Sequence, residues 1–277
     1  MSWFSIEVQA PSEQRERIAA WLVEQTGQAV EERADGTLVS FALDLPGAVA
    51  IEEALSRSLG GAVQTTHQEL DEVDWTTAWR AGLGARRVGR FVIVPTWIAW
   101  DTAPGEILLR LDPEMAFGSG EHGSTRAALA LLERTVRPGD LVLDFGSGSG
   151  ILSIAAVHLG AERAVGIEVD GDTLPIAQVN AERNGAAERI TFLEGDAAQL
   201  APLLPRVQVV VSNILRLVNV ALLPEVRDAL LPGGSAIFSG MELKEADLFR
   251  PALEEHGFVT VDEVVDDGWW AVRATRP

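Results

Sequence analysis

A chain of 277 residues with 47% hydrophobic content can build one large domain or two, and its 41 acidic against 22 basic residues leave a net charge of −19. That charge repels nucleic-acid phosphates, so no direct nucleic-acid partner is expected, and the lack of cysteine excludes disulfides, thiolate zinc sites and cysteine nucleophiles. His67, His122, His158 and His256 lack metal-ligand spacing, and neither a membrane-length apolar run nor a basic, then apolar, leader is present, which implies a cytoplasmic protein without metal or membrane partner.

The first 66 residues predict a strand at Trp3 to Val8 and a helix at Ser12 to Gln25 with Ser12 as N-cap. A hairpin follows, Ala29 to Glu32 and Thr37 to Leu43 around Asp35-Gly36, then a helix at Ala48 to Leu59 and an extended stretch at Ala62 to Thr66. This β-α-β-β-α-β order is the ferredoxin-like arrangement, with Ala19, Leu22 and Val23 of one helix and Ile51, Ala54 and Leu55 of the other facing the sheet. Ten acids against four bases make residues 1–66 attractive to a strongly basic protein, and the absence of chemical motifs there leaves recognition as their expected role. Residues 67–85 read as a connector in which Trp75 and Trp79, four apart, share one helical face. Strands at Arg90 to Pro95 and Glu106 to Leu111 then open a larger domain spanning residues 86–277. From Leu141 strands and helices alternate, which predicts an α/β doubly wound sheet, and the chain closes on an antiparallel hairpin near Phe258 to Val265 and Trp269 to Ala274.

The chemistry concentrates in Leu141-Val-Leu-Asp-Phe-Gly-Ser-Gly-Ser-Gly150, an apolar strand running into a glycine turn that opens a helix. A second strand, Ala164-Val-Gly-Ile-Glu168, ends in a carboxylate 22 positions after Gly146, placed to accept hydrogen bonds from a ribose diol. A dinucleotide fingerprint requires glycine at position 151, which is Ile151; the G-x-G-x-G spacing at Gly146, Gly148 and Gly150, with Asp144 two residues ahead, resembles motif I of methyltransferases that use S-adenosylmethionine. Gly195-Asp196 follows the strand Ile190 to Leu193, and Asn213 follows the strand Val207 to Val211 at the end where such a sheet opens its ligand crevice. Upstream, Phe117-Gly-Ser-Gly-Glu-His-Gly-Ser-Thr-Arg126 combines flexible glycines with one aromatic and several hydroxyls, which suits a segment folding over a ligand.

That last segment is similar to the F-G-T-G-x-H-x-T-T signature of the methyltransferase family that modifies ribosomal protein L11, known as PrmA. The similarity continues through Trp75 to Trp79, Pro95-Thr-Trp97, Arg110-Leu-Asp112, the glycine loop, Asn180-Ala-Glu-Arg-Asn-Gly185 and Ser212-Asn-Ile-Leu215, and so covers most of the chain from about residue 70. The resemblance implies a Rossmann-like, seven-stranded methyltransferase sheet behind a small ferredoxin-like domain, with S-adenosylmethionine as cofactor and a basic large-subunit ribosomal protein, L11, as partner. It places Thr125, Gly146, Glu168 and Asn213 at family contacts to the cofactor, with Phe117 and His122 covering the ligand and Gly148 completing the loop. The wider superfamily puts Asp144 near the methionyl amine and Asp196 near the adenine amino group.

Asn213 is also the candidate catalytic residue. Methyl transfer to nitrogen needs a neutral, aimed amine, and carbonyl oxygens from the Asn213 side chain and the following backbone would orient it. The continuation Ile214-Leu215-Arg216, in place of Pro-Pro-aromatic, favours a flexible lysine or N-terminal amine over a flat amide or base. Glu121, Gly123, Ser147 and Arg216 depart from the family pattern, and Arg216 either repels a lysine or pairs with Glu121. Two readings therefore accompany the main one: transfer to another protein or small amine, and a noncatalytic cofactor-binding protein.

Overall fold

The computed structural model describes residues 3–26, 30–33, 35–59, 63–69, 84–112 and 120–277. The chain divides into two compact units, Met1–Gly82 and Leu83–Pro277.

In the first unit, β1 (Phe4–Gln9), β2 (Glu31–Glu32), β3 (Leu38–Ala42) and β4 (Gln64–Glu69) form an antiparallel sheet in the order β2-β3-β1-β4, with helices α1 (Ser12–Thr26) and α2 (Leu45–Leu59). Its core joins Ile6 and Val8 of β1 to Ile18 and Leu22 of α1 and Leu55 of α2. Ile18, not Val23, shares the buried face with Leu22: an i, i+4 pair lies on one side of a helix, and Val23 is turned out to solvent. Ser12 is already the first helical residue of α1. The second helix opens three residues earlier than its apolar pattern implies, because the Asp44 carboxylate accepts from Gly47 N at 2.7 Å and Pro46 suits the first turn. At the far end β4 runs to Glu69, three residues into the stretch read as connector, while Trp75 and Trp79 lie outside the described residues.

The second unit opens with a three-stranded sheet of β5 (Arg86–Val88), β6 (Phe91–Val94) and β7 (Ile107–Arg110), followed by α3 (Gly123–Thr135). A mixed sheet then assembles from β8 (Leu141–Phe145), β9 (Arg163–Glu168), β10 (Ile190–Glu194), β11 (Val207–Asn213), β12 (Leu230–Glu242), β13 (Val259–Asp266) and β14 (Trp269–Thr275), in the order β10-β9-β8-β11-β12-β14-β13. Neighbours from β10 to β12 are parallel; β14 runs antiparallel to both β12 and β13, so the closing hairpin places its second strand inside the sheet and its first at the edge. The helices between strands are α4 (Ile151–His158), α5 (Leu174–Arg183), α6 (Ala197–Leu200), α7 (Arg216–Ala221), α8 (Leu223–Ala229) and α9 (Ala246–Glu255).

Successive strand residues point to opposite faces, so the central strands feed two cores. Val142, Val209, Val211 and Ile237 join α3 and α4 on one side, while Leu143, Val210, Ala236 and Phe238 join α8 and α9 on the other. With both faces covered, ligand access is left at the strand ends, and the order reverses between β8 and β11, where Gly146 and Asn213 meet. Among the described residues, no helix is long and apolar enough to cross a membrane.

Candidate active site

At those carboxyl ends lies a cavity of about 470 Å³, within the ~300–1,000 Å³ typical of small-molecule sites. Of the residues singled out in the sequence, His122, Gly146, Gly148, Glu168, Asp196 and Asn213 line it. Thr125 and Asp144 do not reach the wall; they sit fully buried behind it. Phe117 lies outside the described residues.

The glycine loop forms one wall. Gly146 has φ +74°, and a Cβ there would collide with Cγ2 of Ile214. The loop's N–H groups are spent internally: Gly146 and Ser147 donate to the Ile167 carbonyl at 2.8 and 3.2 Å, Gly148 donates to Glu168 Oε2 at 2.9 Å, and Gly150 donates to the Ser147 carbonyl at 2.8 Å. An anion cradle would aim such groups outward. Glu168 Oε1 also accepts from Asp170 N at 3.1 Å, so both oxygens are held in place while keeping lone pairs for a ligand. Asp196 accepts from Ala198 N at 2.9 Å as the N-cap of α6. Among the described residues no lysine or arginine lines the cavity, so its formal charge comes from Glu168 and Asp196. This wall suits a nucleoside carrying positive charge and rejects a pyrophosphate.

Behind the loop, Asp144 Oδ2 accepts from Ser153 N at 3.1 Å and Ser153 Oγ at 2.8 Å, while Oδ1 is buried without a partner. Burial pushes the Asp144 carboxyl up to about 7 against the pull of the Ser153 hydrogen bonds, and the nearby Glu168 charge adds to the rise.

The facing wall comes from β11, the segment after it, and the start of α3. Asn213 is buried as the last residue of β11; its Nδ2 donates to Thr125 Oγ1 at 3.3 Å, and its Oδ1 has no partner. Ile214 fits between Gly146 and Gly240; at Gly240, φ +84°, a Cβ would collide with the Ile214 carbonyl oxygen. That carbonyl accepts from Asn219 Nδ2 at 3.1 Å. The backbone oxygen expected to share the amine with Asn213 thus accepts one hydrogen bond and keeps its second lone pair, while the side-chain Oδ1 is buried without a partner.

His122 is the N-cap of α3: its Nδ1 accepts from Ser124 N at 3.4 Å and lies 2.8 Å from Ser124 Oγ. Burial, reinforced by the charge of Arg126, lowers the His122 pKa and favours the neutral ring that this acceptor role requires. Trp269 lies against it, ring centres 4.1 Å apart, and lines the cavity. Arg126 holds the turn of the β13–β14 hairpin to α3 through a two-pronged pair with Asp266, Nε to Oδ2 at 3.0 Å and Nη2 to Oδ1 at 2.6 Å. A side chain at position 123 would strike the Asp266 carbonyl and Trp269, so Gly123 permits this closure. Trp269 and Gly240 went unnoticed in the sequence: one reads as a strand residue and the other follows an apolar strand with no motif around it.

Arg216 neither faces the acceptor path unpaired nor meets Glu121. It donates to Glu245 Oε1 at 3.1 Å, and Glu121 pairs with Arg86 at 3.0 Å.

Comparison with known proteins decides the family. The sequence model described as ribosomal protein L11 methyltransferase (PrmA) matches residues 45–277. The chain belongs to the PrmA family. It is 42% identical over 202 residues to the ribosomal protein L11 methyltransferase of Thermus thermophilus, covering 73% of this chain and 77% of that protein. It is 40% identical over 224 residues to the protein of the same name from Pelotomaculum thermopropionicum, covering 80% and 72%. A crystal structure of ribosomal protein L11 methylase from Lactobacillus delbrueckii subsp. bulgaricus superimposes with a TM-score of 0.64 at 29% identity, over 70% of this chain and 99% of that one. PrmA membership makes the mixed sheet a methyltransferase-like α/β fold and fits the phosphate-averse cavity.

Proposed function

We propose that this protein transfers methyl groups from S-adenosylmethionine to lysine and N-terminal amines of ribosomal protein L11. The observation that carries the reading is that Asn213, whose buried Oδ1 has no partner, lines the same cavity as Glu168 and the glycine loop. When bound, the cofactor supplies an electrophilic methyl group on a sulfonium. Glu168 would accept from the ribose hydroxyls, Asp196 from the adenine amino group, and His122 would help cover the ligand, a role the resemblance also gives Phe117. Asp144 places a buried carboxyl behind the methionyl end, and Thr125 acts through Asn213, whose amide it orients.

A free lysine amine has a pKa of ~10.4 and is almost wholly protonated near neutrality. The mostly apolar cavity favours the uncharged amine, whose proton leaves to solvent on entry. Asn213 Oδ1 then accepts one amine N–H and so aims the lone pair, and no strong general base is required. The acidic first 66 residues, a ferredoxin-like module in this reading, attract the basic ribosomal protein in the cytoplasm, and the connector lets one active site reach several amines. Nucleic acid takes no direct part.

The test is transfer of labelled methyl from S-adenosylmethionine to purified L11, with mass mapping and an Asn213→Ala control. Label on lysine or the α-amine, lost in the control, is expected. An unlabelled L11 despite measured cofactor binding would overturn the acceptor, and full activity in the control would overturn the role of Asn213.

A further inference from the structure

We propose that Asn219 is a positioning residue that holds Asn213 in its productive orientation. The inference rests on the reading of Asn213 as the acceptor of the amine N–H. Asn219 is fully buried on α7 and makes three hydrogen bonds, each to a group flanking Asn213. Its Oδ1 accepts from Ser212 Oγ at 2.8 Å, the residue before Asn213. Its Nδ2 donates to the Ile214 carbonyl at 3.1 Å, the residue after, and to the Ser239 carbonyl at 3.0 Å. Ser239 is the residue opposite Asn213 in the β11–β12 register. One side chain therefore ties the Ser212 hydroxyl before Asn213 to the backbone carbonyls after it and across the strand from it, using both amide hydrogens.

The network closes on itself. Ser239 Oγ donates to the Ser124 carbonyl at 2.8 Å, and the neighbouring Thr125 receives Asn213 Nδ2 at 3.3 Å. This closure holds the Asn213 amide against the Thr125 hydroxyl. With Nδ2 at Thr125, Oδ1 is left as the unpartnered, buried acceptor of a residue that lines the cavity; turned over, the amide would present a donor there in place of the acceptor. Asn219 also holds the Ile214 carbonyl in place through one of its two lone pairs. None of these bonds is made to Glu168 or the glycine loop, so loosening them is expected to slow transfer more than it weakens cofactor binding.

The experiment uses the full chain with two substitutions, Asn219→Leu, which keeps the branched outline and removes every hydrogen bond, and Ser212→Ala, which removes a single one. Three quantities are measured: kcat for transfer to L11, cofactor Kd by calorimetry, and the Asn213 side-chain amide signals by ¹⁵N NMR. Asn219→Leu is expected to lower kcat roughly tenfold or more, with Kd within about threefold, and to move and broaden the Asn213 amide signals. Ser212→Ala is expected to lower kcat about threefold with a smaller change of the same signals. An unchanged Asn213 amide, or a fall in kcat matched by equal weakening of cofactor binding, overturns the proposal. Should Asn219→Leu fail to fold, the Ser212→Ala amide signals decide alone. A wild-type protein that transfers no methyl to L11 defeats the acceptor reading, and the amide signals still decide whether Asn219 holds Asn213.

Discussion

The two walls of the cavity are built from different materials. On the β8–β9 side the shape is made by backbone: Gly146 turns where a Cβ would strike Ile214, and Glu168 is fastened by the N–H groups of Gly148 and Asp170. On the β11–β12 side the lining residue Asn213 is backed by a buried network running through Thr125, Ser212, Asn219 and Ser239, with the glycine-limited Gly240 beside it. A glycine-limited position such as Gly146 tolerates no added atom, whereas the buried network behind Asn213 fails on a lost partner. Cofactor affinity should follow the first wall and the rate of transfer the second.

The largest expected effect comes from adding one methyl group to the first wall. Gly146→Ala places a Cβ at φ +74° and against Ile214, combining left-handed strain of about 1–2 kcal/mol with overpacking of about 1–3 kcal/mol. A fall of ~100-fold in kcat/KM and a Tm lower by several degrees are expected in kinetic and thermal assays. Wild-type rates in Gly146→Ala would show that the loop has room to move and that the wall is not backbone-limited.

Next in size is Glu168→Ala. Loss of charge-assisted hydrogen bonds to the ribose, each worth about 1.5–3 kcal/mol, should weaken cofactor binding roughly 10–100-fold by calorimetry. At saturating cofactor, kcat should stay within a few-fold of wild type. An equal loss in kcat would erase the division of labour between the walls.

The same contrast explains what could be read from the sequence. A backbone-made wall leaves its mark locally: the glycines and the carboxylate sit at fixed spacing around two apolar strands, so Gly146, Gly148 and Glu168 stand out, as does the alternation of strands and helices after Leu141. A side-chain network draws on residues 7, 20 or 115 apart, and nothing near Asn219 or Ser239 marks it as a partner of its neighbour. Trp269 escaped for the same reason, since it reaches His122 only after the closing hairpin folds back onto α3. Local chemistry was also missed where two signals competed: the apolar pattern of α2 hid Asp44, the acceptor that starts the helix. Val23 was assigned inward because it is apolar, although one helix face cannot hold Ala19, Leu22 and Val23 as well as Ile18.

Asp144 sharpens the comparison with pH. Its carboxyl has an ordinary value of 3.8 and is raised to about 7 by burial, so the folded chain holds a proton that the unfolded chain has released. Stability from this group is complete below pH 3.8, declines as pH rises, and levels off above about 7. Asp144→Asn, neutral at every pH, should therefore melt several degrees above wild type at pH 8, with the gap shrinking toward pH 4. A cationic ligand nearby favours the ionised carboxylate, so wild-type cofactor affinity should rise with pH through neutrality, and that rise should flatten in Asp144→Asn. Parallel pH profiles for the two proteins would place Asp144 outside the electrostatic reach of the ligand.

The smallest effect is expected where the sequence looked most anomalous. Arg216 follows Asn-Ile-Leu on the side-chain wall, and a free cation there would repel an incoming lysine. Its guanidinium is instead held by Glu245, which also accepts from Glu242 N at 3.0 Å, and both partners keep some exposure, 21% and 28%. A half-exposed pair of this kind is worth at most ~1 kcal/mol, so Arg216→Ala should shift Tm by no more than ~3 °C and leave transfer to L11 within about twofold of wild type. Glu245→Ala is the informative partner. It releases the Arg216 charge next to Leu215, a residue of the cavity wall, and should raise the KM for L11 more than Arg216→Ala does, an increase that added salt suppresses. The reverse ranking, with Arg216→Ala the more damaging, would mean that the guanidinium itself meets the substrate and that the acceptor wall selects by charge as well as by the orientation of Asn213.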